Sequence, residues 1–167
     1  MLHLLWAILN IALALYFLYL LLGIIAKGMG FLNTKYKFLS IAIFGIGIIQ
    51  LLFSTNSEEN KGINYLVNDQ VPHINYEAKM LTLEENLIFD TRLYVKYYRH
   101  QGKYIIYKSN SSLTGFVSGF EWEHTSTELE LNRDNNTSYR VNGVLFWKLF
   151  NFTIYKQHQQ FHGIIEN

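Results

Sequence analysis

The chain has 167 residues, of which 50% are hydrophobic and 16% charged, with 14 Lys or Arg against 13 Asp or Glu. A formal charge of +1 argues against nucleic-acid binding, which draws most of its affinity from neutralised phosphates. The absence of cysteine excludes a disulfide framework, a thiolate nucleophile and Cys-ligated zinc or copper.

From Leu4 to Ile25 no residue is charged, and ~20 helical residues suffice to cross a bilayer. Gly28-Met29-Gly30 reads as a helix stop rather than a phosphate loop, since no strand precedes it and no Walker lysine follows. A second uncharged run, Phe38 to Phe53, spans ~24 Å as a helix, and Tyr36 and Lys37 can extend it by reaching to the interface. A cleaved signal peptide fits the first run poorly, because there is no basic n-region and the run is too long. The expectation is a two-helix transmembrane hairpin over residues 1–55, a linker over 56–62 and a β-domain over 63–167.

Charge orients the hairpin. Lys27, Lys35 and Lys37 lie in the loop between the runs, which holds no acid, and short Lys-rich loops stay cytoplasmic. Both termini are therefore expected on the far side, in the periplasm of a bacterial inner membrane or the equivalent compartment of an organelle. The lack of disulfides fits such a location.

Helices in lipid pack through small residues and bond through polar ones. The first run carries Ala7, Asn10 and Ala14 at spacings of three and four, and the second carries Ser40, Ile43, Gly47 and Gln50. Folding the two back on each other matches residues whose numbers sum to about 62, which brings Asn10 and Gln50 to similar depth. Asn10, Ala14, Gly47 and Gln50 are the expected packing residues. The two amides bond to each other or to a partner subunit, or else Gln50 simply reaches the interface.

All thirteen acids lie after residue 54, and there period-two alternation recurs, as in half-buried antiparallel strands. Ile74, Tyr76, Ala78 and Met80 alternate with polar residues, as do Leu87, Phe89, Leu93, Val95 and Tyr97; Phe116, Phe120 and Trp122 follow, then Leu129 and Leu131, with apolar strands near 139–149 and 152–161. His100-Gln101-Gly102 reads as a three-residue hairpin loop pairing Arg99 with Lys103, Tyr97 with Ile105 and Tyr98 with Tyr104. Asp134-Asn135-Asn136 is a second turn signal. Seven to eight strands suggest an antiparallel β-sandwich or small barrel.

Chemical motifs are weak. Glu121 and Glu123 share one strand face, as a glycosidic acid/base pair would, with His124 adjacent, but alternating Glu is what an exposed sheet face normally uses. His158 and His162 have zinc spacing only on a helix, and a strand end is expected there. The Asn-x-Ser/Thr matches at Asn110, Asn135, Asn136 and Asn151 matter only in a eukaryotic secretory pathway. Tyr94, Lys96, Tyr98 and Tyr104 form a candidate partner surface, since exposed aromatics mixed with basic residues typify interfaces. Neither a cofactor nor a metal is implied.

In layout, a two-helix hairpin followed by an extracytoplasmic β-domain resembles subunit II of haem-copper terminal oxidases. That family's copper centre uses paired cysteines, which are absent here, so the resemblance implies topology alone. The expected role is a non-enzymatic accessory or assembly subunit, partnered by integral membrane proteins and the lipid bilayer. The alternative is a membrane-tethered β-barrel holding a lipid or small apolar ligand.

Overall fold

The computed structural model describes residues 1–32, 37–53, 63–64, 75–101, 103–131 and 137–165. Helix α1 (Leu2–Lys27) is 26 residues long and apolar around its circumference, and is long and apolar enough to cross a membrane. It ends where Gly28 takes φ 72° and donates its N–H to Ile24 O at 2.8 Å, a glycine stop of the expected kind. A 3₁₀ turn (Met29–Leu32) follows, then a shorter apolar helix α2 (Lys37–Phe53).

The two helices pack antiparallel at close to the expected register. Leu20 and Ile43 are buried together, Gly47 lies against the Phe17 ring, and the Phe17 and Phe44 rings are 6.0 Å apart. The missing side chain of Gly47 leaves room for that aromatic ring. Among the described residues, Tyr16 OH and Ser40 Oγ form a polar link between the helices at 2.8 Å.

Seven strands are seen among the described residues: β1 (Ile63–Asn64), β2 (Glu77–Glu85), β3 (Phe89–His100), β4 (Lys103–Gly115), β5 (Phe120–Leu131), β6 (Thr137–Leu149) and β7 (Phe152–Ile165). They form two antiparallel sheets, ordered β1-β4-β3-β2 and β5-β6-β7. Inward residues of both sheets share one apolar cluster: Leu93, Val95 and Tyr97 from β3, Val141 from β6 and Ile165 from β7. Burial, with the Glu77 carboxylate alongside, pushes the Tyr97 phenol up to about 12.

Three local expectations are corrected. On β2 the inward positions are Lys79, Leu81 and Leu83, not Ala78 and Met80. Leu81 pairs with Leu93 and packs into the core with Leu83, and burying two leucines outweighs burying one methionine and one alanine. Phe116 is not in a strand but in the turn between β4 and β5. The β3–β4 hairpin pairs His100 with Lys103, Arg99 with Tyr104 and Tyr98 with Ile105, one residue away from the expected register. A two-residue loop matches strand twist better than a three-residue one, and Gln101 supplies a left-handed φ of 49°. The displaced residue, Tyr107, is taken up as a bulge where pairing jumps from Tyr97–Ile106 to Lys96–Lys108. The turn expected at Asp134-Asn135-Asn136 lies outside the described residues.

Candidate functional site

The most developed constellation is the junction where the first turns of α1 enter the β-domain. Trp6 donates its indole N–H to two carbonyls, Gly119 O at 3.1 Å and Lys148 O at 3.2 Å. Ala7, 3% exposed, is buried among Phe89, Phe120, Trp122, Leu145 and Trp147. The His3 ring sits 5.4 Å from Phe89, 5.6 Å from Phe120 and 5.0 Å from Trp147. Each aromatic contact of this kind adds about 0.5–1.5 kcal/mol beyond area burial. On the next turn Asn10 donates its amide N–H to Trp6 O at 3.0 Å and lies against Gly119. Phe150, in the β6–β7 turn, packs on the cluster formed by Leu20 and Ile43, which also includes Leu13 and Phe17. The β-domain therefore meets the helices at two levels, the start of α1 and the Leu20–Ile43 cluster.

Of the expected helix-packing residues, Gly47 lies at the α1–α2 contact, Asn10 belongs to the junction, and Ala14 is exposed. The side chain of Gln50 lies outside the described residues. Sequence reading missed the roles of His3, Trp6 and Phe150. An amphipathic indole and an imidazole at the tip of an apolar helix are a usable signal, but apolar periodicity does not register them.

A second constellation is a polar network in the interior. His124 Nδ1 lies 2.7 Å from Ser111 Oγ, while its Nε2 lies 3.2 Å from both Ser109 Oγ and Thr127 Oγ1. Trp122 donates its indole N–H to Ser111 Oγ at 2.8 Å, and that hydroxyl keeps its own hydrogen and a second lone pair for His124 Nδ1, so either imidazole tautomer can be satisfied there. Burial holds the His124 pKa below its ordinary value. Ser109 and Ser111 are 0% and 1% exposed. A hydroxyl so enclosed beside an imidazole satisfies buried polar groups, and it offers no access for an attacked carbonyl.

The expected partner surface divides. Lys96 Nζ sits 4.5 Å from the Tyr76 ring centroid and 5.0 Å from that of Tyr107, and Tyr76 also meets Tyr98 edge-on at 5.7 Å. Tyr94 is exposed on the same strand, while Tyr98 is largely covered. Tyr104 lies elsewhere, accepting a bond from Thr137 Oγ1 at 2.8 Å and packing edge-on against Tyr97. Tyr76 and Tyr107 complete the basic-aromatic cluster, and the β-bulge that positions Tyr107 was not visible in the sequence. Glu121 and Glu123 are both exposed, and Glu121 forms an ion pair with Lys148. His158 and His162 are exposed on β7. Among the described residues no group of three or more His, Asp or Glu could hold a metal ion.

Beside the junction opens a cavity of about 540 Å³, lined by Leu2, Leu5, Trp6 and Leu9 of α1 and by Trp147, Tyr155 and Gln157 of β6 and β7. Its walls are mostly apolar, as in sites that receive hydrocarbon.

No family model matches the chain, and no curated protein matches it. Among solved structures, a two-domain protein of unknown function from Bacteroides thetaiotaomicron VPI-5482 is similar at 17% identity and a TM-score of 0.37, over 53% of this chain and 47% of that one. The chain thus matches about half the length of that protein.

Proposed function

We propose that this chain is a non-enzymatic accessory subunit of an integral membrane complex, with α1 and α2 crossing the membrane and the β-domain, a sandwich of two sheets, presented on the extracytoplasmic side. The observation that carries the reading is the insertion of His3, Trp6 and Ala7 into the β-domain core. The contacts of His3, Trp6 and Ala7 with the β-domain support a retained span rather than a removable leader. They also hold the β-domain at a set height and angle, as a docking subunit requires and a freely swinging module does not. The basic-aromatic cluster of Tyr94, Lys96, Tyr76 and Tyr107 is the surface offered to a partner. Crosslinking in intact membranes followed by purification in mild detergent should recover integral membrane neighbours. A lone monomer with none would overturn the reading.

One observation favours a second reading, a membrane-tethered lipid or apolar ligand binder: the groove between α1 and β7. The space between the sheets is filled by Leu93, Val95, Val141 and Ile165, so a ligand would lie outside them. Native mass spectrometry of the full chain, released from detergent, should retain a lipid under this reading and none under the first.

A further inference from the structure

Three turns close one end of the β-domain, and each carries large apolar residues alongside a polar one, Asn86, Ser118 or Asn151. They are the β2–β3 turn with Leu87, the β4–β5 turn with Phe116 and Val117, and the β6–β7 turn with Phe150, which leads into Phe152. Turns are ordinarily built from polar residues, and the opposite end follows that rule: His100, Gln101 and Lys103 surround one turn, and residues 132–136, outside the described residues, read Asn-Arg-Asp-Asn-Asn. Leu87 is 88% exposed, and Phe152, Ile154 and Tyr155 are 53–59% exposed. This apolar surface continues that of α1, since Tyr155 shares the groove with Leu5 and Leu9.

The height of this end follows from helix geometry. Counting up from Lys27, a hydrocarbon layer of ~30 Å reaches the level of Trp6 or Ala7, and a tryptophan at that level is typical of the interface. Trp6 bonds to Gly119 and Lys148, in and beside two of the three turns. Phe150 packs lower still, with Leu13 and Phe17. Backbone can enter this region only where its polar groups are paired, and four N–H groups in and beside the turns are bonded internally: Asn86 N to Phe89 O at 3.1 Å, Phe116 N to Ile88 O at 2.8 Å, Phe120 N to Val117 O at 2.9 Å and Lys148 N to Gly119 O at 2.8 Å. Strand β7 turns polar directly after Tyr155, with Lys156-Gln157-His158-Gln159-Gln160, and the Lys148–Glu121 ion pair beside Thr153 and the Glu85–Asp90 pair beside Leu87 put charged groups at headgroup level.

We infer that the three-turn end of the β-domain is sunk into the membrane leaflet opposite Lys27, with lipid acyl chains covering Leu87, Phe116, Val117, Phe152, Ile154 and Tyr155. The inference rests on the reading of α1 as a membrane span. The domain does not hang from a stalk above the surface; it enters the headgroup and upper acyl layers beside its own helices.

Because the chain has no cysteine, single nitroxide labels can test this without background. Val117→Cys, Phe152→Cys, His158→Cys and Leu18→Cys would be labelled in the full chain, reconstituted into phosphatidylcholine vesicles, and probed by collision with oxygen and with a water-soluble nickel chelate. Labels at 117 and 152 should show an oxygen-to-nickel ratio several-fold above the label at 158 and close to that at 18. Water-like values at 117 and 152 with lipid-like values at 18 would overturn the inference and leave the span intact. Shielding of 117 and 152 from both reagents would also overturn it, by pointing to a protein cover. A water-like value at 18 would remove the span and the inference with it. Quenching of the unmodified chain's tryptophan fluorescence by lipids brominated near the headgroup provides a check without substitutions, and its absence counts against immersion.

Discussion

Gly119 is where backbone conformation and packing coincide. Its φ of 81° lies in the left-handed region, and a Cβ built there would come within 2.5 Å of Asn10 Nδ2. Gly119→Ala should therefore cost about 1–3 kcal/mol, read as a fall in melting temperature of several degrees, and the loss should shrink when Asn10 is also Ala. His124 makes a different prediction. Its folded pKa lies below the ordinary value near 6.5, so in the window between the two the unfolded chain binds more protons and stability rises with pH. The stabilising contribution is complete above about pH 6.5 and is lost as pH falls through the lowered folded value. Thermal melts from about pH 8 down to about pH 5 should show this decline, and His124→Gln should flatten it. An unchanged pH dependence in the variant would show that other groups carry it. The sequence places His124 beside Glu121 and Glu123, the two carboxylates read as a candidate acid/base pair. The bulge between His124 and Ser126 and the two buried serines make it a half-buried structural histidine, and no neighbour in sequence signals that.

At the scale of elements, the helix pair depends more on space than on polarity. Tyr16→Phe removes one interhelical hydrogen bond, and such bonds average ~0.6 kcal/mol in membranes, so helix association in detergent should weaken only slightly. Gly47→Leu puts a branched side chain where the Phe17 ring already lies, and should separate the helices or force them to repack. A cysteine-crosslinking efficiency between α1 and α2 that drops sharply for Gly47→Leu and little for Tyr16→Phe would bear this out. Period-two patterning found the strands, since each outward slip would expose Leu93, Val95 or Val141. It failed on β2, where Met80 and Leu81 are both apolar and only the partner strand decides which turns inward. The β3–β4 register also escaped it, because loop twist and a bulge, not composition, set the pairing.

For the whole molecule, the junction ties the fold of the β-domain to the helix. Phe89, Phe120 and Trp147 close around His3, Trp6 and Ala7, so a fragment beginning at Lys61 should expose that aromatic face. It should bind an environment-sensitive apolar dye and melt lower than the full chain in detergent, while an equally compact and stable fragment would show that the junction contributes little. Residue order alone determined that an apolar helix precedes a strand-rich region, because hydropathy and period-two alternation are local properties that every short window carries. The tertiary structure decided that these two parts interlock. The contacts that join Trp6 to Gly119 and Lys148 link positions more than a hundred residues apart, and a one-dimensional pattern holds no record of which distant carbonyls a tryptophan will meet once both sheets have closed.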